Sequence, residues 1–233
     1  MDLRKYFKAE QKVLLRHLGE GVVEGSFAAL TAYVVSFSGM RLSLRLPYGN
    51  REGEGYPFTP AMSFEVLTDA ITMGIRVTGT FIKTENHDTL LIELNRDFQA
   101  FQRRTHGRKD VTVGVRYTKG QGTLRTFHEQ WLKNVDILDK TAREKLPAFP
   151  DCAVNLSRGG IRFAIKKPIT VANLCVLILD LKDDGKPLCT LAEVVWQSTQ
   201  DTPQYREVGM QFLNILERDQ KRIENFLKTA VPS

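Results

Sequence analysis

A chain of 233 residues is long for one small domain and accommodates two, each able to bury a core. Its hydrophobic share of 42% and charged share of 26% are ordinary for a folded globular protein and set disorder aside, and no apolar run approaches the ~18 residues of a membrane span. The formal net charge is +6, and the N-terminus carries charges where a signal peptide would need its apolar stretch, so the expected compartment is cytoplasmic.

In chain order, Phe7, Leu14, Leu15 and Leu18 stand at near-helical spacing ahead of Gly19, which predicts a short amphipathic helix over residues 5–18. From Leu30 the period changes to two. Tyr33, Val35 and Phe37 lead to a Ser38-Gly39 turn, and Leu42, Leu44 and Leu46 alternate with Arg41, Ser43 and Arg45 as a half-buried hairpin strand does. Residues 47–60 read as a loop. Further strands are expected at Phe64–Val66, Ile75–Phe81 and Thr89–Leu94, the last two joined at Asn86-His87-Asp88. About a hundred residues of short antiparallel strands imply a closed or split barrel, placed at residues 1–98. Asn95 to Phe101 reads as a polar joint to a second domain, placed at residues 99–233.

That domain opens on Gln102-Arg-Arg-Thr-His-Gly-Arg-Lys-Asp110. Residues 101–125 hold seven Lys or Arg (Arg103, Arg104, Arg108, Lys109, Arg116, Lys119 and Arg125) against the single acid Asp110, a local balance equal to the charge of the whole chain. Val111, Val113, Val115 and Tyr117 then alternate as a strand, so the arginines sit on a loop at its entrance, an anion site by composition. Thr126-Phe-His-Glu129 reads as a capping box, and Phe127, Trp131, Val135, Leu138, Ala142 and Leu146 form the stripe of an inserted helix that ends before Pro147. Asn155-Leu-Ser157-Arg-Gly159-Gly160 leads into the alternating Ile161, Phe163 and Ile165. Strands at 173–181, 188–196 and 205–212 follow, with a turn at Asp183-Asp-Gly185-Lys186. A last helix carries Leu216, Ile223, Phe226 and Leu227, with Asn214 and Glu217 as its capping pair. The fold class is therefore mainly β, two antiparallel barrels with one inserted and one C-terminal helix.

Two of these segments carry a resemblance. Arg104-Thr-His-Gly-Arg108 followed about fifty residues later by Asn155-Leu-Ser157-Arg-Gly159-Gly160 resembles the Arg-x-x-x-Arg and Asp/Asn-x-Ser-x-x-Gly motifs of the PilZ domain family. The likeness covers residues 100–230, and the N-terminal domain is similar in pattern and position to the one that precedes PilZ in flagellar-brake proteins. It implies a C-terminal PilZ barrel that binds cyclic-di-GMP through Arg103, Arg104, Arg108, Asn155, Ser157, Gly159 and Gly160. In that reading Arg104 and Arg108, with Arg103 as an auxiliary cation, meet phosphate oxygens and the O6/N7 edge of guanine or stack on the base. Asn155 and Ser157 meet another guanine edge. Gly159 and Gly160 leave room for the base and permit a positive φ. Asn155 stands where many members have Asp, and a neutral amide makes a weaker hydrogen bond than a carboxylate.

The resemblance further implies a receptor in which ligand ordering of the arginine loop alters the angle between the two barrels. Its output would reach a flagellar motor or another protein effector and govern motility or exopolysaccharide-related behaviour. The alternative is a single-stranded nucleic-acid binder, since a small barrel with a basic strip serves that purpose too, although only Phe101 and Tyr117 supply aromatics nearby. Neither paired carboxylates nor a nucleophile with its base emerges, so no enzyme and no cofactor is expected. His17, His87, His106 and His128 stand singly, and Cys152, Cys175 and Cys189 share no Cys-x-x-Cys spacing, so neither a metal site nor a disulfide framework is expected.

Overall fold

Period-two alternation is what the N-terminal half is built from. The computed structural model of the chain describes residues 3–18, 29–48, 58–68, 73–102, 107–120 and 122–230. The chain divides into two compact units, residues 1–105 with 123–125, and residues 106–122 with 126–233. In the first, β1 (Lys12–His17), β2 (Leu30–Ser38), β3 (Arg41–Arg45), β4 (Ser63–Thr68), β5 (Met73–Asn86), β6 (Thr89–Leu94) and β7 (Gln99–Gln102) run in the order β4-β1-β2-β3-β6-β5-β7. A further β4–β5 pairing closes six of them into a barrel. Val13, Leu15, Ala32, Val34, Leu42, Leu44, Val66, Val77 and Ile92 are among the residues buried in this unit. Gly39, at φ +62, makes the β2–β3 turn in the left-handed region that favours glycine.

Two expectations fail here. Residues 12–17 are a strand, not part of a helix: Val13 and Leu15 are buried two apart while Leu18 is 43% exposed, and β1 pairs with β2 on one side and β4 on the other. A six-residue segment with adjacent leucines fits either period, and two flanking strand edges decide it. Gln99 to Phe101, read as part of a joint, belong to β7, which pairs with Met73–Arg76 of β5.

The second unit is a closed barrel of β8 (Lys109–Lys119), β9 (Asp151–Ser157), β10 (Gly160–Lys166), β11 (Leu174–Asp180), β12 (Leu188–Asp201) and β13 (Tyr205–Ile215), ordered β10-β13-β12-β11-β8-β9. Val111, Val113, Leu156, Ile161, Phe163, Leu177, Val194, Val208 and Met210 share its core. The inserted helix α1 (Leu124–Lys140) starts two residues before Thr126, which puts that threonine inside the first turn instead of at a cap. The helix ends at Lys140, and a separate 3-10 turn spans Arg143–Lys145. Trp131 donates from Nε1 to the Cys189 carbonyl at 3.1 Å, and Lys186 Nζ donates to the carbonyls of Leu138 and Asp139, which satisfies orphan acceptors at the helix C-terminus. The C-terminal helix α2 (Glu217–Thr229) places Ile223 and Leu227 in the barrel core, with Phe226 packed against it. Burial of each such side chain is worth ~1.5–3 kcal/mol. Its N-cap is Leu216, with no side-chain cap hydrogen bond, and Asn214 is buried within β13 and serves no capping role.

Candidate functional site

Register brings the end of the arginine stretch beside the second motif. β8 and β9 pair Lys109 with Leu156, Asp110 with Asn155 and Val111 with Val154, so the end of the arginine loop runs alongside the Asn155–Gly160 segment. Valines 111 and 154 and Leu156 face the core, so the alternate residues Asp110 and Asn155 face outward. On the other side of β9, Asn155 pairs with Arg162 of β10, Arg162 with Gly209 of β13, and Gly209 with Trp196 of β12. Asp110, Asn155, Arg162, Gly209 and Trp196 thus stand abreast on five neighbouring strands, a belt on the outer face of the barrel.

Trp196 reaches this belt through a β-bulge. Val194 pairs with Met210 and points inward; Trp196 pairs with Gly209, so two steps on β12 match one on β13. Without the extra residue Trp196 would share the inward face of Val194. It is instead 45% exposed, its ring lying against Gly209, where an added Cβ would meet it at 3.5 Å. No periodicity argument could find it, because the bulge breaks the period. The alternation of Asp110 and Arg162 is visible in sequence, but their pairing across Asn155 depends on long-range register.

The polar contacts are specific. Asn155 donates from Nδ2 to Asp110 Oδ1 at 2.8 Å, Arg162 lies 3.8 Å from the same oxygen, and Arg162 reaches Glu207 at 3.7 Å. Ser157 is buried and donates from Oγ to the Gly160 carbonyl at 3.2 Å, which braces the turn. Gly160 owes its identity to the barrel: an added Cβ would stand 2.4 Å from the Met210 carbonyl oxygen. Gly159 has open space around its Cα, and neither glycine has a positive φ, contrary to the expectation for this turn. Arg158 turns away to α2, meeting Gln220 and Glu224 at 3.5 and 3.6 Å.

Of the arginine loop, Arg108 is described and exposed at the entrance to β8; Arg103, Arg104 and His106 lie outside the described residues. Three further cations of the basic stretch, Lys109, Arg116 and Lys119, are engaged by backbone carbonyls. Arg116 donates twice to the Ala148 carbonyl and lies over the Phe149 ring, Lys119 donates to the carbonyls of Lys166 and Pro168, and Lys109 donates to the Ala230 carbonyl. Composition had pooled them with the loop; tertiary structure assigns them to bracing the barrel.

A cavity of about 250 Å³ opens elsewhere on this unit, lined by Val135, Leu138, Lys186, Leu188, Arg218 and Arg222 among others. Its cations are engaged: Arg218 with Asp139, Arg222 with Asp183, and Lys186 with the carbonyls at the end of α1. Hydrogen bonding from Arg222 holds the Asp183 carboxyl below the usual carboxylate range, whereas burial pushes that of Asp219 up. A bound anion would have to displace these pairs. Burial raises the Cys175 thiol to about 12 and also raises those of Cys152 and Cys189, which keeps all three protonated at neutral pH. Among the described residues no group of His, Cys, Asp and Glu could hold a metal ion, and no helix is long and apolar enough to cross a membrane.

Against known proteins, the profile of the PilZ domain matches residues 102–229, more than half of the chain. No curated protein matches it. Among solved structures it is similar to the Bacillus subtilis inhibitor of motility MotI/DgrA, at 15% identity over 96% of this chain and 100% of that one, TM-score 0.37. It is likewise similar to K. pneumonia MrkH in a c-di-GMP complex, at 16% identity over 97% and 88%, TM-score 0.32. YcgR from Escherichia coli, also in complex with c-di-GMP, matches at 13% identity over 97% and 86%, TM-score 0.35.

Proposed function

This chain belongs to the PilZ domain family, and from that premise we propose that it is a non-enzymatic receptor for cyclic-di-GMP whose ligand sits across the arginine loop and the outer belt of the second barrel. The observation that supports the reading is the β8–β9 register, which sets Lys109 and Asp110, directly after the arginine motif in sequence, beside Leu156 and Asn155 of the second motif. Arg104 and Arg108 offer charge-assisted, fork-shaped donors to phosphate or to guanine O6/N7. Asn155 offers its carbonyl to a ring or exocyclic N–H, since its amide group is committed to Asp110. Ser157 and Gly160 hold the turn that presents Asn155, and Gly159 leaves the backbone approachable. Trp196 offers an exposed indole face on the same belt, a stacking surface for a base.

The arginine loop joins the last strand of the first unit, β7, to the first strand of the second, β8. A loop that both links two domains and holds a ligand restricts their relative orientation when it becomes ordered, and this is the proposed signal. Its receiver would be a flagellar motor or another protein effector, and its output motility or exopolysaccharide-related behaviour, in keeping with the likeness of the first domain to flagellar-brake proteins. The nucleic-acid alternative loses ground because Lys109, Arg116 and Lys119 are engaged with backbone carbonyls.

Calorimetric titration tests the choice of ligand. Cyclic-di-GMP is expected to bind well ahead of GTP and of a short single-stranded oligonucleotide, with a salt dependence shallower than that of a protein displacing many counterions along a strand. Preference for the oligonucleotide would sink the receptor reading.

A further inference from the structure

The site has a neutral amide where a carboxylate would read guanine more strongly, yet a carboxylate stands beside it. We infer that Asp110, one strand over from Asn155, supplies the anionic acceptor that selects guanine, an inference that rests on the cyclic-di-GMP reading above. Asp110 and Asn155 are direct cross-strand partners, and the amide donates to one carboxylate oxygen, Oδ1, at 2.8 Å. Arg162 approaches that same oxygen at 3.8 Å. The other oxygen, Oδ2, makes no hydrogen bond among the described residues, and the side chain is 65% exposed. A carboxylate can only accept, so the contact fixes the amide orientation with its nitrogen toward Asp110 and its carbonyl oxygen turned away.

One cross-strand pair thereby offers two acceptors, the Asn155 carbonyl and the second oxygen of Asp110. Guanine carries two adjacent donors, N1–H and the 2-amino group, which can engage that pair together. Adenine presents an acceptor at N1 and would meet the carboxylate lone pair to lone pair, so the same feature that favours guanine rejects adenine. Arg162 completes the device by bridging Asp110 and Glu207, which restrains Asp110 from the far side of Asn155. Asp110 is the only acid among residues 101–125, and in this account its role is to discriminate between bases.

The test compares cyclic-di-GMP with cyclic-di-IMP, whose hypoxanthine bases lack the 2-amino group, by calorimetric titration of wild type and Asp110→Asn. The substitution keeps the shape and removes one acceptor oxygen and the charge; a thermal melt checks that it folds. Cyclic-di-GMP affinity is expected to fall about tenfold or more, cyclic-di-IMP affinity distinctly less, so that the guanine-to-hypoxanthine preference shrinks. Adding Asn155→Asp to that variant restores a carboxylate within the same pair and should recover the preference. If Asp110→Asn leaves both affinities unchanged, the assignment is wrong. Equal loss for both ligands, with the preference intact, would mean that Asp110 only holds Asn155 in place, and would also overturn it. Failure of the wild type to bind cyclic-di-GMP at all would instead remove the receptor reading on which the inference stands.

Discussion

Arg108 and Asn155 offer hydrogen bonds of different kinds, and their removal should cost different amounts. A contact from a guanidinium to phosphate is worth on the order of 1.5–3 kcal/mol, so Arg108→Ala or Arg104→Ala should raise the Kd for cyclic-di-GMP about 10- to 100-fold. Asn155→Ala removes a neutral contact worth roughly 0.5–1.5 kcal/mol and should raise it by about 2- to 10-fold. Titration of the three variants, each shown to be folded, checks the ranking; two arginine variants with wild-type affinity would place the site elsewhere. At this scale the motif residues themselves were legible, because residue type and spacing are local properties. What they do was less so. Gly160 reads in sequence as room for a base, but the Met210 carbonyl 2.4 Å from its missing Cβ shows that the β10–β13 pairing requires it. Ser157 reads as a ligand donor, and its hydroxyl proton is spent on the Gly160 carbonyl.

Elements were readable wherever one face of a strand is buried and the other wet, as in β10, where buried Ile161, Phe163 and Ile165 alternate with half-buried Arg162 and exposed Ala164 and Lys166. They were misread where the pattern was too short or interrupted: the six residues of β1, the four of β7, and the bulge that puts Trp196 outside. The link between α2 and the β11–β12 turn gives an element-scale prediction. Arg222 donates from Nε to Asp183 Oδ2 at 2.8 Å and from its terminal nitrogen to Oδ1, and these bonds hold the Asp183 carboxyl below its ordinary range. A depressed folded pKa contributes stability that is fully present above the unfolded value of ~3.9 and disappears as pH falls through the folded value. Asp183→Asn is therefore expected to lower the melting temperature at neutral pH, and the gap from wild type should close in acid below pH ~4. Asp219, pushed up by burial, acts in the opposite sense in both proteins. Melting curves from neutral pH to about pH 3 provide the check; a gap that is constant with pH would show that the ion pair is not its source.

For the whole molecule, the barrel class of both units follows from strand spacing, whereas the belt does not, since it depends on the closing order β10-β13-β12-β11-β8-β9. The proposed signal is a coupling between ligand affinity and domain orientation. A typical coupling of ~1–3 kcal/mol shifts populations several-fold or more, so small-angle scattering should change on saturation with cyclic-di-GMP; an unchanged profile would remove the orientation signal while leaving binding intact. The central claim, that the arginine loop and the outer belt together hold the ligand, is tested most directly by hydrogen–deuterium exchange with and without saturating cyclic-di-GMP. The account predicts protection in two separate segments, residues 96–110 and residues 155–160, with little change around the cavity at residues 135–139 and 216–222. Protection centred on the cavity, or unchanged exchange at both motifs despite calorimetric binding, would contradict it.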